Sequence, residues 1–345
     1  CNFEGVQIMQ IYRNISLKEH NTFGIDVKTD VLLLIQTPED AAELAGSSYT
    51  ARGKYLITGK GSNLLYLSDY RGTVIKSCID GIIAEKQGDD SVVVRAGSGT
   101  DWDTLVGWCV SRGYGGLENL SAIPGTAGAA PVQNIGAYGT EVKDVIEKVR
   151  AVSVTDGRIK EFSAGDCRFA YRDSVFKNEE KGKWLIAEVW FRLSTRPLFS
   201  FGYSGLKEEA ERLGGVTLAN VRQAVINIRG RKLPDPANTG NAGSFFKNPV
   251  VANEVAEMLR SRYPGVILYA DPSGGFKVPA GWLIEQCGWK GRRTGDAGVW
   301  EKQALVLVNY GKATGREIFE LSEMIRKSVY EKFGIALERE VEIVE

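Results

Sequence analysis

Apolar residues fall in short runs through the first half of the chain and at helical spacing through much of the second. Residues 31–35, 55–58, 74–77 and 92–96 are compact apolar stretches and predict strands. After the first of them, Thr37 stands as an N-cap before Pro38, Glu39 and Asp40, the signature of a helix running to about residue 47. Residues 101–111 predict a helix with Leu105, Val106, Trp108 and Cys109 as its apolar positions, stopped by Gly113. Residues 146–154 and 158–162, joined through Asp156-Gly157, predict a β-hairpin, and 184–193 one more strand. From about residue 200 helices are expected at 206–213, 218–230, 252–263 and 314–333, and a boundary is placed near 195–200. The final segment, 337–344, alternates: Leu337, Val341 and Ile343 on one face, Glu338, Glu340 and Glu342 on the other.

Length changes this picture: 345 residues exceed the ~250–300 that one hydrophobic core usually serves, so two or more domains are expected. Charge narrows it further. Lysine plus arginine and aspartate plus glutamate each count 43, so no global field draws the protein to nucleic acid or an anionic membrane, and any anionic ligand must be met locally. No apolar run approaches the ~20 residues of a membrane span, and no secretory segment opens the chain, so a soluble cytoplasmic protein is expected. The five cysteines, Cys1, Cys78, Cys109, Cys167 and Cys287, are scattered without CxxC pairing, which suits a reducing compartment; no metal site is expected. His20 is the only histidine and lies in a polar stretch, where a surface or turn role suits it better than a triad or a metal site.

Two loops carry the candidate chemistry. Gly59-Lys60-Gly61-Ser62-Asn63-Leu64 follows a strand, and its glycines allow backbone N–H groups to cradle a phosphate, although the spacing is neither Rossmann nor P-loop. Residues 114–140 form a long stretch rich in glycine and alanine and nearly free of charge. Such a surface lets backbone lie flat against a planar ring system, with Ser121, Thr126, Gln133 and Asn134 as hydrogen-bonding groups.

Together these loops resemble the split nucleotide-binding elements of the PCMH-type (vanillyl-alcohol oxidase-like) flavin domain. The resemblance narrows with Asn21-Thr22-Phe23-Gly24, Ile123-Pro124-Gly125, Gln133 to Gly139, Tyr171-Arg172-Asp173-Ser174, Lys232-Leu233-Pro234-Asp235-Pro236, Gly240 to Pro249 and Leu337-Glu338-Arg339-Glu340-Val341. Their order is that of the UDP-N-acetylenolpyruvoylglucosamine reductase family, in its long form with an extra tyrosine loop, and the likeness covers the chain from about residue 16. The resemblance implies an α+β protein with a two-lobed FAD-binding domain over 16–196 and an α+β substrate-binding domain over 197–345, after a variable N-terminus of 1–15 in which Cys1 to Gln7 match nothing. It also implies noncovalent FAD, NADPH as hydride donor, and reduction of the enolpyruvyl double bond of UDP-N-acetylglucosamine enolpyruvate in peptidoglycan precursor synthesis by a monomer that binds small molecules only.

By the same resemblance Arg172, Ser244 and Glu340 are the catalytic residues. A guanidinium suits a carboxylate whose charge rises during the reaction; the serine supplies a proton; the glutamate helps a developing anion only if protonated. The cofactor-binding set so implied is Gly59, Lys60, Gly61, Ser62, Asn63, Leu64, Ser121, Ile123, Pro124, Gly125, Thr126, Gly128, Asn134, Gly136, Ala137, Tyr138, Arg172, Ile186, Arg229 and Gly243. Substrate binding is carried over to Tyr203, Lys232, Asn248, Lys277 and Gln303. Two rivals stand beside this reading: an FAD-dependent alcohol oxidase or dehydrogenase on the same scaffold, and a nucleotide-sugar sensor that retains the fold without the reaction.

Overall fold

The computed structural model describes residues 9–51, 53–272 and 274–345. Cys1 to Gln7 lie outside the described residues. The chain forms two compact units: residues 29–61 and 70–229, with the strand before them, make up the first, and residues 16–28, 62–69 and 230–345 the second.

The first unit holds two larger sheets and a two-stranded one, Gly136–Ala137 with Thr140–Glu141. A four-stranded sheet has the order Gln10–Ser16, Lys28–Ile35, Tyr70–Ser77, Tyr55–Thr58. Its last two neighbour pairs are parallel, and Leu33, Ile35 and Ile75 are buried in the cluster beside it. Thr37 caps the helix Pro38–Leu44 with a reciprocal capping box to Asp40, as its sequence predicted. The second sheet is antiparallel, in the order Ile159–Ser163, Ile146–Ser153, Trp184–Ser194, Ser91–Gly97, Ile82–Gln87. Its inner face packs Val92, Val94, Val149, Val189 and Phe191 against Trp102, Leu105 and Val106 of the helix Trp102–Ser111. Trp102 meets Phe191 edge-on at 5.9 Å.

The helices Leu206–Arg212 and Leu218–Lys232 differ from the sequence expectation in placement. Through Arg229 they belong to the first unit, because Leu206, Ala210, Val221, Ala224, Val225 and Ile228 bury themselves with Tyr138, Phe199, Phe201 and Tyr203. The division between units therefore falls inside a helix and not near residues 195–200.

In the second unit, Gly240–Ser244, Val306–Asn309, Ala297–Val299 and Arg293–Thr294 form an antiparallel sheet. The helix Gly315–Phe333 buries Ile318, Leu321, Ile325 and Val329, a 3-4-4 spacing that fits one helical face. The last strand is shorter than expected. Only Glu342–Val344 pairs, in parallel with Leu64–Tyr66, and Val344 is buried in place of Ile343. Residues 338–340 hydrogen-bond to 245–247 outside any regular ladder, which breaks the alternation that the sequence suggested.

Candidate active site

In the first unit the strand Tyr55–Thr58 delivers the chain into the glycine turn. Gly59 has no room for a side chain: a Cβ there would stand 2.7 Å from Thr126 Oγ1, so the turn and the long loop touch backbone to side chain. Gly61 takes φ +64°, where L side chains are strained. Lys60 forms an ion pair with Asp101, which also caps the helix Trp102–Ser111 by accepting from the Thr104 amide at 2.8 Å. The long loop lies along residues 98–102. Trp102 N donates to Gly125 O at 3.2 Å, Ala127 N to Thr100 O at 2.9 Å and Gly128 N to Ser98 O at 2.9 Å. A Cβ on Gly128 would overlap Ser98. Ser121 turns its hydroxyl back onto Glu118 O at 2.6 Å, while Ile123 is half-buried and Pro124 exposed.

Four of the six non-glycine residues with positive φ among the described residues lie at these positions: Ala122 (+57°), Asn134 (+45°), Tyr138 (+51°) and Arg172 (+55°). Each such residue costs on the order of 1–2 kcal/mol, and such strain gathers at functional sites. Side-chain hydrogen bonds hold several of them. Asn134 donates to Glu141 Oε2 at 3.0 Å and to Ala170 O at 2.9 Å, and accepts from Lys143 N at 3.0 Å. Arg172 Nη2 donates to Gly136 O at 2.5 Å, and a Cβ on Gly136 would stand 2.8 Å from Nη1. Arg172 and Gly136 thus meet directly, with Ala137 beside them in the short strand Gly136–Ala137. Tyr138 accepts a hydrogen bond from Arg229, and its ring meets that of Tyr203 at 4.7 Å, nearly perpendicular. Burial pushes the Tyr138 hydroxyl up to about 12 and pulls the Arg229 guanidinium below its ordinary value. Ile186 is buried in the antiparallel sheet opposite Ala151.

These residues fit a flavin nucleotide. The glycines let backbone N–H groups come close to phosphate. Asp101 and Asp103, on the helix that the loop lies against, are already matched by Lys60 and Arg222. Asn119 supplies a further observation: its Nδ2 donates to Tyr138 O and Ser200 O, leaving Oδ1 buried and without a partner among the described residues. A buried acceptor in that state is completed by a donor from outside the chain, a water or a ligand.

The second unit carries Ser244 and Glu340. Ser244 ends the strand Gly240–Ser244, opposite Val306, after Gly243 at φ +69°. The buried rings of Phe245 and Phe246, edge to face at 5.2 Å, fix the chain just beyond it. Glu340 N donates to Phe245 O at 2.9 Å, so the glutamate's segment runs beside the serine's. Asn63 fastens that segment, donating to Glu340 O at 3.0 Å and accepting from Glu342 N at 3.0 Å. Ser62 and Leu64 flank it in the same unit, while Gly59, Lys60 and Gly61 belong to the first. Arg172 also belongs to the first unit.

The remaining candidates do structural work of their own. Asn248 Oδ1 accepts from Ala280 N at 2.9 Å at the start of the helix Ala280–Gln286, and Lys277 pairs with Asp271 at 3.3 Å. Gln303 Oε1 accepts from Leu305 N at 3.3 Å. Lys232, exposed at the end of its helix, receives Trp300 Nε1 on its carbonyl at 3.1 Å. Sequence reasoning missed Asp101, Asp103, Asn119 and Arg222. Only Asp101 had a local signal, as a helix N-cap.

A sheet leading into glycine-lined loops, followed by an antiparallel sheet with Arg172 in strained backbone on the connection between its strands Ile159–Ser163 and Trp184–Ser194, suits the class of flavin-dependent oxidoreductases. Residues 29–163 match the FAD binding domain family, and residues 235–344 match the C-terminal domain of UDP-N-acetylenolpyruvoylglucosamine reductase. The chain is 46% identical over 329 residues to the UDP-N-acetylenolpyruvoylglucosamine reductase of Bacteroides fragilis, covering 95% of this chain and 98% of that one. It is 46% identical over 338 residues to that of Porphyromonas gingivalis, covering 97% and 100%. The crystal structure of UDP-N-acetylenolpyruvylglucosamine reductase from Thermus caldophilus superposes with a TM-score of 0.69 at 25% identity, over 98% of this chain and all of the other. The chain belongs to the UDP-N-acetylenolpyruvoylglucosamine reductase family.

Proposed function

We propose that this protein reduces the enolpyruvyl double bond of UDP-N-acetylglucosamine enolpyruvate to give UDP-N-acetylmuramate for peptidoglycan synthesis, as a cytoplasmic monomer using NADPH. FAD, held by the glycine turn and the long loop, would supply hydride-transfer chemistry between NADPH and the enolpyruvyl double bond. The chain's own residues then deal with charge and proton. Arg172, always protonated, meets the substrate carboxylate as electron density builds beside it. The Ser244 hydroxyl gives its proton to the second carbon, and its position at a strand end followed by two locked aromatic rings supplies the orientation a weak acid needs. Glu340 in its protonated form donates to the developing anion. Lys232 and Tyr203 bind the sugar nucleotide, with Asn248, Lys277 and Gln303 as further contacts. The FAD seat comprises Gly59 to Leu64, the loop residues 121–128 and 134–138, Ile186, Arg229 and Gly243.

The observation that carries the reading is the family membership over nearly the whole chain, with Arg172, Ser244 and Glu340 all present. A stopped-flow experiment tests it. Protein reduced by NADPH is mixed with the enolpyruvyl substrate, and absorbance of oxidised flavin should return within the turnover time. Flavin that stays reduced under anaerobic conditions would overturn the assignment, and peroxide formed from an alcohol would favour the oxidase.

A further inference from the structure

The residues assigned above bind the reactants, but something must also hold the strained loop in shape. Asp103, in the helix Trp102–Ser111, accepts the amide of Ala122 at 2.6 Å on the carboxylate that Arg222 grips with both arms, at 2.6 and 2.8 Å. Ala122 is a residue with φ +57°, next to Ser121 and Ile123 of the FAD loop. Seven residues beyond Arg222 on the same helix, two turns and about 10 Å along its axis, Arg229 donates to the hydroxyl of Tyr138, whose φ is +51°. Asn119 donates to the carbonyl of Tyr138 as well. Thus one helix reaches both ends of the loop, each time at a non-glycine residue in the left-handed region.

We propose that Asp103 and Arg222 are positioning residues that hold Ala122 in its left-handed conformation, so that the loop from 121 to 138 is already shaped to receive FAD. The inference rests on the FAD-dependent reading above. Neither residue touches the reacting atoms in this scheme. Their bidentate pair supplies a fixed acceptor where the backbone alone would relax. Burial works against the Asp103 carboxylate, but hydrogen bonds from Arg222 and the Ala122 amide prevail and hold it below the usual range, so it stays charged at neutral pH.

The test follows FAD release from the holoenzyme after dilution, read as the rise of free flavin fluorescence. Asp103→Ala and Arg222→Met should release FAD roughly tenfold faster than the unaltered protein, the factor expected when one non-glycine residue is freed from the left-handed region. Arg222→Lys, keeping one arm, should fall between. Adding Ala122→Gly to Asp103→Ala should recover most of the loss, since glycine holds φ +57° without the carboxylate. A purely structural pair would lower the melting temperature yet leave release unchanged, and glycine would then rescue nothing. Either result, unchanged release or no rescue, overturns the proposal. Unaltered protein that carries no FAD would instead overturn the reading on which it rests.

Discussion

Substituting Gly136 by alanine tests the role of Arg172 without touching its charge. The added Cβ would stand 2.8 Å from Arg172 Nη1, 3.0 Å from Glu141 Cγ and 3.1 Å from Thr140 O. Thr140 O belongs to the backbone of the facing strand Thr140–Glu141 and cannot retreat cheaply, so the guanidinium must give. Ordinary contact begins at about 3.4 Å, so Nη1 must move by roughly 0.6 Å, and the 2.5 Å bond from Nη2 to Gly136 O is strained or lost. A misplacement of ~1 Å at a reacting group can cost about a hundredfold in rate, so on the order of tenfold is expected here. Stopped-flow absorbance separates the two half-reactions. Reduction of the flavin by NADPH should stay within about twofold of the unaltered rate, and reoxidation by the enolpyruvyl substrate should slow about tenfold. Equal slowing of both halves would mean that the alanine unseats the flavin, and no slowing would mean that Arg172 does not act on the substrate; either refutes the reasoning.

Ser244→Ala should leave reduction by NADPH near normal and slow reoxidation by 10²-fold or more, the scale of general acid catalysis; a matched loss in both halves removes the proton-donor role. Glu340→Gln should retain more reoxidation rate than Glu340→Ala, because the amide still donates a hydrogen bond, and the opposite ranking in the same assay discards the neutral-acid role. Lys232→Ala should raise KM for the sugar nucleotide by about tenfold with kcat little changed; steady-state kinetics showing a pure kcat defect would count against it.

Much of the fold was legible because local rules and tertiary contacts agree. Thr37, Asp101 and Thr314 cap the helices that follow them, and the hairpin turn at Asp156-Gly157 sits between the strands Ile146–Ser153 and Ile159–Ser163. The tail misled. Alternation from 337 to 344 reads as one strand, yet its partners are the irregular backbone of 245–247, then Asn63, then the short strand Leu64–Tyr66. Partners distant in sequence set where a ladder begins, and no pattern within eight residues contains them. The helix Leu218–Lys232 misled about the boundary for a similar reason: its apolar stripe was visible, but not that Tyr138 and Phe199 to Tyr203 would cover it.

For the candidate site, the glycines announced themselves and the strained residues did not. Positive φ is usually read from glycine, so Gly59 to Gly61 and Gly125 to Gly139 drew attention to the loops, while nothing in the letters marks Ala122, Tyr138 or Arg172 as left-handed. Ala122 and Tyr138 are each met there by side chains elsewhere in the chain. Asp103 and Arg222 for Ala122, and Asn119 and Arg229 for Tyr138, are common residues at ordinary helical or turn positions, informative only once the chain has folded. Small residues let the loop pack closely, and the polar residues around it hold its strained positions. The first kind can be read one residue at a time. The second is a property of pairs, and Asp103 and Arg222 stand 119 positions apart.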